Sequence, residues 1–165
     1  MTEDIYESAY KVTVYREKGS GRIVGEVWRN SDDQLDRPGD LPARTEYDLE
    51  TGSKTFSWYQ DGKLHRDGGQ PARMMLDQTG APFSESWWEH GLLHRDQNAG
   101  PAHILSNPHS GHLSMIEYKW RGAYHRTDGP ALIRYNKNGH VYRREYWVNG
   151  QHTDPPNSPA PPDLG

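Results

Sequence analysis

Three His-Arg pairs, His65-Arg66, His94-Arg95 and His125-Arg126, are the residues of this sequence best suited to chemistry. Imidazole passes protons near neutral pH and guanidinium clamps phosphate or carboxylate, so each pair has the makings of a hydrolytic or anion-binding centre. The same stretch that holds His94 adds His90, His103, His109 and His112, and the spacing of His109 and His112 in a loop is that of a metal-ligand pair. A zinc ion would need three or four nitrogen or oxygen ligands converging at about 2 Å. With no cysteine in the chain and no carboxylate cluster nearby, His109 and His112 are weak metal candidates, and no cofactor is expected. No Gly-rich phosphate loop, serine elbow or metalloprotease motif accompanies them. The acidic pairs Glu3-Asp4 and Asp32-Asp33 fall in expected loops, where carboxylates are usually solvated.

The spacing of the pairs argues for a structural role. Pro-Ala recurs as Pro42-Ala43, Pro71-Ala72, Pro101-Ala102 and Pro130-Ala131, a period of about 30 residues, and Asp36-Arg37 is a degenerate first His-Arg. A glycine precedes each His-Arg at fixed distance (Gly62, Gly91, Gly122), and an aromatic stands four residues before each glycine: Trp58, Trp87 and Tyr118. Tyr146 and Gly150 begin one further, partial copy. A residue that recurs once per repeat is best explained by a contact within or between repeats. The expected contacts are His against an aromatic of a neighbouring strand and Arg on a carboxylate such as Asp67, Asp96 or Asp128.

The elements that must position these residues are strands. After each Pro-Ala the chain alternates briefly, then reaches Asp48, Asp77, Asn107 or Asn136, with Gly52, Gly80, Gly111 or Gly139 following three or four residues on. Such residues make turns, and the density of Gly, Pro and β-formers disfavours helix. The prediction is an all-β fold of tandem β-hairpin repeats forming an elongated, twisted antiparallel meander sheet, advancing roughly 10 Å per copy. In the second copy Ala72 to Leu76 is one strand, Asp77 to Gly80 its turn and Pro82 to Glu89 the next strand. Residues 1–27 are expected as an N-terminal capping hairpin, 28–154 as the repeat sheet of four copies plus a partial one, and 155–165 as a disordered Pro-rich tail. Period-two alternation places Ala43, Thr45 and Tyr47 on an apolar packed face with Ala72, Met74, Leu76, Ala102, Ile104, Ala131 and Ile133.

Composition bounds the rest. Hydrophobic residues make up 32% and aromatics 11%, so a thin core should rest on six Trp and ten Tyr. A net charge of -4 gives no reason to expect nucleic acid or an anionic membrane as partner. The absence of a signal-like apolar run points to a cytoplasmic protein, and no stretch approaches the roughly 20 apolar residues of a membrane span.

The unit Trp-x-x-x-Gly-x-x-His-Arg-x-x-Gly-Pro-Ala, clearest from Tyr118 to Ala131, resembles the variant MORN repeat of bacterial and bacteriophage proteins over about Trp28 to His152. The resemblance implies a single-layer or curled antiparallel sheet without conserved catalytic residues, and some proteins of this kind are antitoxins or immunity proteins. This chain departs from the pattern in its first copy, which lacks His, in Gly69-Gln70 before the second Pro, and in a residue inserted within Asp96 to Gly100.

Residues that vary between copies are the ones left for partners. Arg44, Arg73 and His103 occupy one equivalent position after Pro-Ala and should form a cationic row on the face opposite the packed one. Trp88, Lys119 and Trp147, with Tyr59, alternate away from the scaffold aromatics, and Trp, Tyr and Arg are enriched at binding hot spots. The first functional reading is a non-catalytic module that binds another protein through Arg44, Arg73, Trp88, His103, Lys119 and Trp147. Its most concrete form is a phage or bacterial inhibitor or immunity protein that neutralises a toxin, nuclease or other defence effector. A second reading is a nucleotide-sequestering protein or hydrolase using His94, Arg95, His103 and His109. A third is a virion or surface decoration module, and open sheet edges allow a homodimer.

Overall fold

The computed structural model describes residues 9–155; the pair Glu3-Asp4 and the expected tail from residue 156 onward lie outside the described residues. The chain divides between Leu92 and Leu93 into two compact units. Both are antiparallel meanders of hairpins, and the described residues contain no helix.

The N-terminal unit opens with a hairpin of β1 (Lys11–Arg16) and β2 (Ile23–Arg29), as the Gly19 to Gly21 turn predicts. It continues through β3 (Arg44–Tyr47) and β4 (Lys54–Ser57), then a small hairpin of β5 (Tyr59–Gln60) and β6 (Lys63–Leu64). β7 (Arg73–Leu76) and β8 (Pro82–Ser86) follow, then the short strand β9 (Trp88–Glu89), and the division falls within β10 (Leu92–Leu93). Strands β1, β2, β3, β4, β7 and β8 pair in that order. In the C-terminal unit β11 (His103–Ser106), β12 (Leu113–Glu117), β15 (Leu132–Tyr135) and β16 (Val141–Val148) pair successively. Between them β13 (Lys119–Trp120) and β14 (Ala123–Tyr124) form a small hairpin, and β17 (Gln151–Thr153) pairs with the end of β16.

The turn residues act as their chemistry requires. The Asp77 carboxylate accepts the N–H groups of Thr79 (2.8 Å) and Ala81 (3.0 Å), and the Asn107 carbonyl accepts those of His109 (2.9 Å) and Ser110 (3.0 Å). Asp48 and Asn136 do the same in their copies. These side-chain bonds replace the ladder partners the backbone loses as it reverses.

Two expectations need correction. The second strand of the second copy, read as running from Pro82 to Glu89, breaks at Trp87, and Trp88–Glu89 belongs to a separate short strand. Trp88–Glu89 leads straight into a two-residue turn in which both φ angles are positive, His90 46° with Gly91 86°, and the same turn follows β13 at Arg121 49° with Gly122 85°. That geometry is the hairpin turn whose twist matches its flanking strands, so each such pair folds the chain back at once instead of leading it into a connection.

Burial is also not confined to one face. The four Pro-Ala alanines, Ala43, Ala72, Ala102 and Ala131, are all 0% exposed, but Val27, Ser57, Ser86, Glu117 and Leu132 on the opposite face are buried too. Among the described residues no large side chain is completely buried. The core is thin, as the composition predicts, and it lies on both sides of the strands.

Candidate binding surface

The recurrent arginines are used inside the scaffold. Arg37 lies 4.1 Å over the Trp28 ring, Arg66 3.8 Å over Trp58 and Arg126 4.0 Å over Tyr118. Each also donates Nη1–H to the carbonyl of its own repeat's proline: Pro42 at 3.2 Å, Pro71 at 3.3 Å and Pro130 at 3.4 Å. Arg95 does the same to Pro101 at 3.2 Å. The ring supplies a cation-π contact and the carbonyl a charge-assisted bond, so one side chain ties the strand end to the loop that starts the next strand. The arginines therefore take the scaffold aromatics, while the expected contact of a histidine with an aromatic is seen at His94, whose ring lies 4.3 Å from Trp120.

The histidines take the tight turns. His65 Nδ1 accepts the His90 N–H (3.4 Å), His94 Nδ1 the Arg121 N–H (3.0 Å) and His125 Nδ1 the Asn149 N–H (3.1 Å). The neighbouring glycine of each turn donates to a carbonyl of the same earlier copy: Gly91 to Leu64 (2.8 Å), Gly122 to Leu93 (2.9 Å) and Gly150 to Tyr124 (2.9 Å). Each of these three turns thus has two of its amides held by an earlier histidine and by the residue just before that histidine. His65 is engaged at both nitrogens, since Nε2 meets Asp67 at 3.1 Å. Replacing His125 by Ala removes the acceptor and leaves the Asn149 amide without it, which should cost about 1–2 kcal/mol in urea denaturation. His125→Asn places an oxygen near the position of Nδ1 and should recover most of that loss.

Carboxylate partners are set by the loops. Arg66 grips Asp40 with two bonds (2.6 and 2.7 Å) rather than Asp67, whereas Arg126 takes Asp128 at 2.7 Å. These hydrogen bonds hold both carboxyls below their ordinary pKa. A pocket of about 440 Å³ opens over the Arg66–Asp40 contact, lined by Leu41, Trp58, Tyr59 and His65 among others. Its two arginines, Arg37 and Arg66, and its histidine are already engaged in these contacts.

The residues of the hydrolase reading do not share one partner. His94 holds the Arg121 amide and sets its ring at 4.3 Å from Trp120, Arg95 caps Pro101, and His103 faces Glu117 at 2.8 Å. His109 is exposed in the turn after β11. The metal candidate His112 is exposed as well, with Nδ1 3.4 Å from the Lys137 carbonyl. Among the described residues no group of three or more His, Asp or Glu side chains is placed to hold a metal.

The residues assigned to partner contact lie along two registers. In the N-terminal unit the row Val27, Arg44, Ser57, Arg73, Ser86 crosses five strands, with Arg44 and Arg73 exposed between buried neighbours. Arg44 pairs with Glu46 at 2.6 Å. Trp88 is half-buried and donates Nε1–H to Ser86 at 2.8 Å, so it closes over the end of this row. In the C-terminal unit the equivalent row is His103, Glu117, Leu132, Glu145. Lys119 lies 4.0 Å over the Tyr124 ring, and Trp147 bonds Glu145 at 3.2 Å with its ring 5.9 Å from Tyr124. His103, Lys119 and Trp147 are all half-buried, covering this row rather than standing clear of it.

A buried polar group, missed in the sequence, centres on Glu117. Its carboxylate accepts the Tyr124 hydroxyl and faces His103 Nδ1. Burial works to raise its pKa, but those two hydrogen bonds and the charge of Lys119 outweigh it and hold the carboxyl below 4.5. Tyr124 moves the other way, pushed up by burial and then by its bond to Glu117. A lone Glu in an alternating strand carries no signal of this, because its partners lie on other strands. The nearest available sign was that Glu117 occupies the equivalent position of Ser57 and Ser86. Compared with known family models, curated proteins and solved structures, the chain matches none.

Proposed function

We propose that this protein is a non-catalytic module that binds another protein across the face carrying Arg44 and Arg73. One observation carries the reading: the His and Arg residues suited to catalysis repeat the same turn and proline contacts from copy to copy, so they serve as fasteners. The position after Pro-Ala, by contrast, changes from Arg44 and Arg73 to His103 and Leu132, and both arginines are exposed. Repeat scaffolds work this way, with shared residues holding neighbours together and varied residues meeting partners. The resemblance to the variant MORN repeat makes an inhibitor or immunity protein, acting on a toxin, nuclease or defence effector, the most concrete form of this function.

The test is affinity purification from the native host with the unaltered chain, with Arg44→Glu/Arg73→Glu, and with His94→Asn. The reversed charges should reduce recovery of the partner at least tenfold, about 1.4 kcal/mol or more, with an unchanged melting temperature. His94→Asn should leave recovery intact. Equal recovery by the reversed variant overturns the assignment of this face.

A further inference from the structure

We infer that β1 is the contact of a two-fold dimer: its open edge pairs antiparallel with β1 of a second molecule of this chain, centred on Thr13. The pairing itself does not depend on the binding reading above; only its consequence for that face does.

Backbone direction leaves this edge open. Among the described residues β1 pairs with β2 alone, while Trp28 of β2 donates its N–H to the Ala43 carbonyl on the β3 side. Peptide groups alternate in direction along a strand, so those of Val27 and Thr13 face each other, and the N–H and C=O of Val12 and Val14 point outward. The register shift in this hairpin adds Val24 to β2, and β1 itself stays regular as far as Arg16. Of the eight large apolar side chains exposed among the described residues, four lie on this hairpin: Val12, Val14, Tyr15 and Ile23. The outer edge of β16 is of another kind. Its register with β15 skips Tyr142, which marks a bulge, and the exposed Arg143 and Arg144 follow at once. Bulges and charges keep an edge from pairing. β1 has no proline and no bulge, and its charges, Lys11 and Arg16, stand only at its ends.

Register selects a second molecule as the occupant. Centred on Thr13, antiparallel pairing sets Val12 opposite Val14 twice and exchanges about four backbone hydrogen bonds over those pairs. Lys11 falls opposite Tyr15 and Arg16 opposite Tyr10, so cations meet rings and no like charges stand opposite one another. Centring on Val14 instead would set each Arg16 against Val12 and break up the valine cluster. Pairing β1 with the β16 edge would bring Arg143 and Arg144 against a strand whose own charges are both positive, so the contact closes as a dimer and does not run on as a filament. A two-fold axis through Thr13 stands perpendicular to the sheet and keeps like faces on one side. The row Arg73, Ser57, Arg44, Val27, Thr13 then continues into its own symmetry mate, with the two Arg44 residues five strand spacings apart, about 24 Å. The proposed binding face becomes bivalent.

The chain has no cysteine, so a single introduced one reads the register. Thr13→Cys places two thiols across the axis, where the Cα atoms of a non-hydrogen-bonded pair are about 4.5 Å apart and within disulfide reach. Val12→Cys sets its two thiols on a diagonal beyond about 7 Å, out of that reach. In oxidised glutathione Thr13→Cys should form covalent dimer about tenfold faster than Val12→Cys, or more, on non-reducing gels. In sedimentation equilibrium the mass of the unaltered chain should rise with concentration to that of two chains and no further. Val12→Lys/Val14→Lys should raise the dissociation constant about tenfold or more and leave the circular dichroism spectrum unchanged, because both side chains are exposed. Equal cross-linking of the two cysteine variants, a one-chain mass at every concentration, growth past two chains, or an undiminished dimer in the lysine variant overturns the inference. A one-chain mass together with loss of the host partner by the lysine variant gives the edge to a partner's strand and equally overturns self-pairing. Dependence of partner recovery on Arg44 and Arg73 is read separately, so the dimer can fail while the binding function stands.

Discussion

Trp87→Ala should lower the stability of the protein by about 3–5 kcal/mol, while Trp88→Ala, one residue along, should cost only about 1–2 kcal/mol. Trp87 is 8% exposed and its indole N–H donates to the Gly69 carbonyl at 2.8 Å. Truncation removes the largest apolar surface among the few core residues, opens a cavity, and strands that carbonyl. Trp88 is half-buried, and the Ser86 hydroxyl it bonds can find water instead. Urea midpoints of the two variants measure the difference. Equal losses would mean that the break at Trp87 does not separate a scaffold position from a surface one.

Glu117→Ala should cost about 2–4 kcal/mol at neutral pH, and Glu117→Gln should flatten the acid limb of the stability curve. The Tyr124 hydroxyl and His103 Nδ1 both bond the buried Glu117 carboxylate, so truncation leaves two groups short of a partner. Because the folded carboxyl is held below its ordinary 4.5, the folded state takes up its proton less readily than the unfolded chain. Its contribution is fully present above pH 4.5 and drains away as pH falls through the lower folded value. Tyr124 behaves oppositely: its folded pKa is raised, so its share persists below pH 10 and is lost as pH climbs toward that raised value. Denaturation midpoints between pH 3 and 7 decide the acid side. A Glu117→Gln variant that still loses stability as steeply as the parent would show that other carboxylates set the acid limit. Asp40 and Asp128 are the next candidates, held low by Arg66 and Arg126, but both are exposed and screened by solvent.

Arg73, one of the two arginines of the proposed contact face, stands exposed between the buried hydroxyls of Ser57 and Ser86, a placement set by pairing across three strands.

What was legible in the amino-acid sequence follows from chemistry that acts over a few residues. Gly91 and Gly122 mark tight turns because φ there is positive, and Asp77 and Asn107 mark reversals because a short polar side chain reaches its own backbone. Recurrence of these local signals every 30 or so residues was enough for the all-β hairpin meander and for the structural role of the His-Arg pairs. Tertiary structure decided which partner each group takes. Arg66 passes over Asp67, one residue away, for Asp40, 26 residues back, and His125 receives an amide from Asn149, 24 residues on. Glu117 meets His103 and Tyr124, and Arg134 meets Arg143, only because strand register and the fold-back of small hairpins bring them level. Register is a cooperative property of several strands at once, so a single strand's letters cannot carry it.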